Sequence, residues 1–316
     1  MMGLFTPAWD NPKANSDKIG KALRKITDQQ KLMEIYRNAK NPAARGEAVL
    51  LINDDDCLVD YIVTHTTNFA AQTREAAAAR IRSQEGLTKL ACASFDRTDH
   101  TGWVLAESAA KKVTNRACLL KLLQSDSYEI RWTALKALDD QEQYAKAVIH
   151  DSWSSNAEQS FARIRDPKVR AALIPQIRND YVLNECLSSL ASEGYEPDAG
   201  TVAQLLERVS DKRYHYSTYQ VICLVRDEKQ LADIALHSPN YHLRGSAIAR
   251  LTDEAALAAV VMNSNEDISN RETAYGKLKD KTLVDQATRD YIQSMDPEYW
   301  SEEDKRMADI MAADSY

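Results

Sequence analysis

The sequence predicts an all-α fold, an α-α superhelix (α-solenoid) of about ten short helix pairs. Two observations carry this. One spaced pattern, Arg-x-x-Ala-x-x-x-(Ile/Leu), starts at Arg45, Arg74, Arg131, Arg244 and Arg271, at separations of 29, 57, 113 and 27 residues, all close to multiples of one period of about 28. A fixed period in this range marks a stack of small units, each burying its apolar face on the next. Composition agrees: 44% of residues are hydrophobic and 28% charged, with only 9 Gly and 8 Pro among 316, which suits helices and leaves little for turn-rich strand folds or disorder.

Within a unit, position +3 is Ala48, Ala77, Ala134, Ala247 or Ala274, and position +7 is Ile52, Ile81, Leu138, Leu251 or Leu278. These spacings share one helical face. Alanine at +3 lets neighbouring helices approach, so the first helix is expected to pack closely through it. Position +9 is Asp54, Asp140, Asp253 or Asp280, each suited to cap a second helix. That helix continues with apolar pairs at +13 and +16: Leu58 and Tyr61, Leu87 and Leu90, Leu257 and Val260, Val284 and Ala287. Truncating Leu138 to Ala is expected to cost roughly 2–5 kcal/mol.

Laid along the chain, the template begins at Ile19, whose unit carries Asp28 at +9, and passes through Arg45, Arg74, Trp103, Arg131, Ala157, Leu183, Thr218 and Arg244 to Arg271. The fits at Trp103, Ala157 and Leu183 are the weakest. A turn-rich stretch, Glu193 to Gly200, lengthens one unit. The array therefore spans 18–295. Residues 1–17, with Trp9, form an N-terminal arm or cap, and 296–316 a capping helix started by Ser301, because a repeat array must cover its end faces.

The segment Asp126 to Leu138, Asp-Ser-Tyr-Glu-Ile-Arg-Trp-Thr-Ala-Leu-Lys-Ala-Leu, resembles the HEAT-repeat signature, and Tyr241 to Leu251 repeats it. The units are similar to the short bacterial HEAT-like kind, some of which occur in phycobilin lyases. The resemblance implies an adaptor or scaffold more than a chemistry. It also implies that Arg45, Arg74, Arg131, Arg244 and Arg271 join Asp28, Asp54, Asp140, Asp253 and Asp280 in a structural ladder between units.

Positions +1, +5 and +8 share a face of the first helix, which in HEAT-like stacks lines the concave surface. Position +8 carries Arg82, Lys111, Arg165, Arg226 and Lys279. Such cations complement the negative end of a helix dipole, or form a basic stripe that receives an acidic peptide. Trp132 and Tyr219, both at +1, are candidate apolar anchors. Reversing the charges of Arg82, Lys111 and Arg165 together is expected to weaken a partner complex without unfolding the protein.

Charge is uneven: residues 72–121 carry nine Lys/Arg and five Asp/Glu, while 280–316 carry four and ten, in a chain of net −7. No H-E-x-x-H, G-x-S-x-G, Walker A or G-x-G-x-x-G sequence occurs. His237 and His242 flank a turn and make only half a coordination sphere, so no metal and no cofactor is expected. The five cysteines are odd in number and widely spaced, which points to a reducing cytoplasm. Residues 1–10 lack the features of a signal peptide, and no run of eighteen apolar residues occurs, so no membrane segment is expected.

The expectation is a non-enzymatic scaffold that binds another protein, possibly through acidic segments, in its groove. A nucleic-acid-binding protein or DNA glycosylase-like enzyme is the alternative; it would use Arg131, Trp132 and Trp103, and the net negative charge weighs against it. Bilin-lyase-like action on a chromophore protein is a further alternative resting on fold resemblance alone. The sequence leaves the oligomeric state open.

Overall fold

The computed structural model describes residues 7–11, 13–67 and 70–295, and their regular structure is all helical. In chain order the α-helices are α1 (Ser16–Leu23), α2 (Gln29–Asn38), α3 (Pro42–Val49), α4 (Asp55–Thr64), α5 (Ala71–Arg80), α6 (Gln84–Ala91), α7 (His100–Ala110), α8 (Arg116–Leu122), α9 (Tyr128–Leu138), α10 (Gln141–His150), α11 (Ser154–Arg163), α12 (Pro167–Leu173), α13 (Asp180–Ser192), α14 (Ala199–Val209), α15 (Thr218–Cys223), α16 (Glu228–His237), α17 (Tyr241–Arg250), α18 (Glu254–Met262), α19 (Ile268–Lys277) and α20 (Gln286–Met295). They pack as neighbouring pairs, the architecture of an α-solenoid. The odd-numbered helices from α1 to α19 are the first helices of the ten units.

The chain divides into two compact units, Met1–Gln143 and Tyr144–Tyr316, and the division falls inside α10. In the first unit, α1 packs on α3, α5 on α7 and α7 on α9, while α4 packs on α6 and α6 on α8. In the second, α11, α13, α15, α17 and α19 each pack on the next, and α16 lies against α18. Within each unit the first helices thus follow one another in a layer, and in the first unit α4, α6 and α8 form a second.

The alanines at +3 explain the spacing of that layer. Ala48, Ala77, Ala134, Ala247 and Ala274 are all fully buried, so each marks a point where helices meet with no side chain to hold them apart. Gly245 extends the same logic. A Cβ there would sit 2.6 Å from Asn270 Oδ1, and the Asn270 amide is held by Tyr241 O and Glu266. The apolar positions +7, +13 and +16 are likewise buried in most units, including Ile52, Leu58, Leu87, Leu251, Leu257 and Leu278.

Three details of register differ from expectation. Leu138 is only partly buried against the core, so its truncation should cost less than that of a fully enclosed leucine. The unit placed at Trp103 starts at Ala106: Ala109 then falls at +3, Val113 at +7 and Asn115 at +9, and Asn115 is the residue that caps α8. In the last unit Ala287 is exposed, because a 3-10 turn over Lys281–Leu283 precedes α20 and breaks the helical period.

The aspartates at +9 cap the second helices, except that Asp280 caps the 3-10 turn before α20. Asp28 accepts from the N–H groups of Gln30 and Lys31, Asp54 from Asp56 and Cys57, Asp140 from Glu142 and Gln143, Asp253 from Ala256, and Asp280 from Thr282. Each satisfies N–H groups that the helix start leaves open. The joints between units are made differently from the expected arginine–aspartate ladder. The arginine at position 0 turns back to carbonyls at the end of the preceding second helix: Arg45 Nε donates to Ala39 O, Arg74 Nε to Ile62 O, Arg131 Nη1 to Ser125 O, Arg244 Nη1 to Ser238 O and Arg271 Nε to Val261 O. Two arginines also reach forward, Arg74 to Asp99 and Arg244 to Glu266. Both acids sit at or beside the start of the next first helix.

The ladder itself runs through positions +6 and +10. At +10, Gln29 accepts the N–H of Asn53, Asp55 that of Ser83, Gln84 those of Thr114 and Asn115, Glu228 those of Thr252 and Asp253, and Glu254 those of Lys279 and Asp280. At +6, Arg80 donates to Ile52 O, Arg250 to Ile222 O and Val225 O, and Lys277 to Ala249 O. Side chains of one unit therefore hold the backbone of its neighbour's turn.

Hydrogen bonds from the Thr252 N–H hold the Glu228 carboxyl below its usual range, with the Thr252 hydroxyl and Asp253 N–H adding to the effect against burial. The stability this contributes is present above the ordinary carboxylate range and is lost as pH falls through the lowered value. Glu228→Ala is expected to destabilise the second unit by about 1 kcal/mol, and Glu228→Gln by less because the amide oxygen still accepts. Urea titration of both variants checks this; equal losses would show that acceptance at +10 is not what matters.

Near the N-terminus, Trp9 packs against the first unit's core, and Asn41 Nδ2 donates to Asn11 O and Ala14 O. The capping helix expected at 296–316, with Ser301, lies outside the described residues. No helix among the described residues is long and apolar enough to cross a membrane.

Candidate functional site

Several first helices end at +6 or earlier, at least two residues short of what the basic stripe requires. Ile81 and Leu278 at +7 are extended, with φ −62° and ψ 125° and 123°, so +7 drops into the core and +8 falls in the turn. Arg82, Arg165, Arg226 and Lys279 accordingly lie in exposed turns between first and second helices, and Lys111 is the exposed C-cap of α7. They do not line a helix face. Arg226 Nη2 is paired with Glu196 at 3.2 Å, while the N–H groups of Arg82 and Lys279 are held by the preceding units' Asp55 and Glu254. Arg82 and Lys111 belong to the first compact unit and Arg165 to the second.

The aromatic candidates separate. Trp132 is half-buried with Lys136 Nζ 5.7 Å from its ring centre. Trp103 Nε1 donates to Asp96 O at 3.1 Å, and its ring meets Phe95 edge-on at 6.0 Å. With Arg131 bonded to Ser125 O and Asp126 O, the three residues named for a glycosylase-like site carry contacts that build the unit. Tyr219 is different: it stands 53% exposed on the first turn of α15.

Near it in the chain stands a row of exposed rings in contact with one another. Tyr181 (42% exposed) opens α13, Tyr216 (53%) precedes α15, and Tyr241 (50%) opens α17. Histidines join them. Tyr181 and Tyr216 meet edge-on at 5.8 Å, His215 lies 3.9 Å from Tyr216 and 5.6 Å from His242, and His242 lies 3.8 Å from Tyr241, all between ring centres. The ends of three successive first helices thereby present a continuous rim of rings.

Backbone contacts fix the rim. Asp180 accepts from the N–H groups of His215, Tyr216 and Ser217 and from the Ser217 hydroxyl. Burial alone would raise its pKa, but these bonds hold it below the usual range. Asn240 Nδ2 reaches Val209 O, Asp211 O and Tyr214 O, and Tyr214 OH donates to Arg178 O. Burial first, and then the neighbouring His215, push the His242 pKa down, against a smaller pull from Asp180. The rings are thus held in place by polar contacts behind them, and Tyr181, Tyr216 and Tyr241 stay about half exposed.

His237, expected only as half a metal site, bonds Asp233 within α16, apart from the His215–His242 contact. Among the described residues no group of three His, Cys, Asp or Glu side chains could hold a metal ion. Cys57, Cys92, Cys118, Cys186 and Cys223 are all free thiols.

No protein-family model, curated protein or solved structure matches this chain. The likeness to HEAT repeats therefore rests on the pattern alone. The rim lay outside that pattern because its rings occupy positions −3 and −2, before each unit's first counted residue. The signal was present as Tyr181, Tyr216, Tyr241 and His242 at matching offsets.

Proposed function

We propose that the chain is a non-enzymatic, HEAT-like protein-binding scaffold of the short bacterial kind, working in a reducing cytoplasm, and that it receives its partner on the aromatic rim of the second unit. The observation that carries this is the concentration of half-exposed tyrosines at the starts of α13, α15 and α17, linked into one row through His215 and His242. Scattered exposed apolar residues are ordinary, whereas a contiguous ring patch on a rigid frame has the composition of an interface centre. Tyrosines there lose little rotamer freedom on binding, and the polar contacts behind them leave little reorganisation to make. The free cysteines agree with a reducing compartment.

The test is Tyr216→Ala, Tyr219→Ala and Tyr241→Ala combined, in a tagged copy used to capture partners from its native lysate with quantitative mass spectrometry. The triple variant is expected to lose at least about tenfold of a specific protein partner while its melting temperature stays within roughly 2 °C of the parent's, because the replaced rings are exposed. Unchanged capture refutes the rim as the binding surface. Recovery abolished by nuclease would place nucleic acid ahead of protein.

A further inference from the structure

We infer that the Tyr181 end of the rim binds a basic segment of the partner protein, seating an arginine or lysine side chain between Tyr181, Glu185 and Glu158. This rests on the protein-binding reading above and adds the partner's chemistry.

Three features converge there. Tyr181 and Glu185 are one turn apart on α13, so they share a face. Helix α11 packs on α13 and brings Glu158 to that face, where its Oε1 is shielded from water with no hydrogen-bond partner. Burial first, and then the negative charge of Glu185, push the Glu158 carboxyl up, and the two glutamates together push the Tyr181 phenol up, so the three groups lie within one another's field. Glu185 accepts from the neutral Asn184 amide, at 2.9 Å.

Two carboxylates, one with a buried oxygen that lacks a donor, beside a ring 42% exposed are complementary to a cation. An ammonium or guanidinium would donate to Glu158 Oε1, relieve the repulsion between the glutamates, and lie against the ring of Tyr181, whose edge-on contact with Tyr216 fixes its plane. A guanidinium fits better than an ammonium because it donates in a fork and stacks at the same time. The neighbouring Asp180 does not compete, since its oxygens are already taken by the N–H groups before α15. Nor does Arg213 fill the place, as it is paired with Asp211 at 2.6 Å.

The experiment titrates the full chain with fluorescein-labelled peptides of about a dozen residues, one rich in arginine, one with lysine in its place and one with glutamate, read by fluorescence anisotropy. The arginine peptide is expected to bind best, the lysine peptide a few-fold less well, and the glutamate peptide not at all, with affinity falling as salt rises. Glu158→Gln with Glu185→Gln should weaken arginine-peptide binding at least about tenfold while the thermal melt is retained. Should that pair of changes disturb folding, Tyr181→Leu keeps the bulk without the π face and is expected to weaken binding by about fivefold. Arginine-peptide affinity unmoved by these variants, equal binding of the glutamate peptide, or no binding by any peptide overturns the inference. Those outcomes leave the rim itself to be decided by partner capture with the Tyr216, Tyr219 and Tyr241 variant.

Discussion

Arg74→Met is expected to lower the stability of the first compact unit by roughly 3–5 kcal/mol, the cost of leaving one member of a buried ion pair without the other. Arg74 is 1% exposed and is the largest of the fully buried side chains. Its guanidinium meets both oxygens of Asp99, at 2.8 and 2.6 Å, while its Nε donates to Ile62 O at 2.8 Å. Removing it strands a buried carboxylate that also caps α7 through the Gly102 N–H. The double variant Arg74→Met with Asp99→Asn should recover a good part of the loss, since the amide still caps the helix and no charge is left unpaired. Arg74→Lys should not, because a single ammonium cannot serve the carbonyl and both carboxylate oxygens.

The same pair gives the acid response a defined sign. The hydrogen bond from Arg74 holds the Asp99 carboxyl below its ordinary value of 3.8 against the opposing effect of burial. A depressed carboxylate contributes stability above the unfolded value and loses it as pH falls through the folded one. Acid denaturation below about pH 4 should therefore be less steep in the double variant than in the parent. Denaturant titrations at pH 7 and at about pH 3 make the comparison. A loss under about 1 kcal/mol for Arg74→Met at neutral pH would show that the pair is not buried in solution.

Leu251→Ala carries the second large effect, a loss of roughly 2–5 kcal/mol in the second unit. Leu251 is fully buried at +7, where the chain leaves α17 and turns inward. Its truncation leaves a cavity beneath a turn held by Glu228 through Thr252 and Asp253. Leu138→Ala at the equivalent position should cost distinctly less, since Leu138 is only partly buried. Urea unfolding monitored with hydrogen exchange compares the two. Equal losses would contradict the burial difference between these units.

The period, the helix pairing and the second-helix caps were legible because each is set by local geometry. Alanine at +3 and a branched residue at +7 share one face whatever lies opposite, and an aspartate before a helix finds its own N–H groups. The ladder was misread because the recurrent arginines meet backbone carbonyls of the preceding unit rather than the recurrent aspartates, which cap helices. Arg45 and Arg271 reach carbonyls six and ten residues back in their own chain. Further joints use less uniform types at +10, such as Gln29, Asp55 and Glu254, whose shared role is acceptance rather than charge. The basic stripe failed on two residues of helix length: the extended backbone at Ile81 and Leu278 sends +8 into the turn.

By itself the sequence determined an array of short helix pairs, since periodic burial and capping depend on neighbours a few residues away. Only the tertiary structure decided which exposed rings form one surface. Tyr181, Tyr216 and Tyr241 are 35 and 25 residues apart in the chain, and they become neighbours because side chains such as Asp180 and Asn240 bond the backbone of an adjacent unit. Those bonds join residues about one repeat apart, and their partners are fixed by how first helices pack rather than by any spacing along the chain.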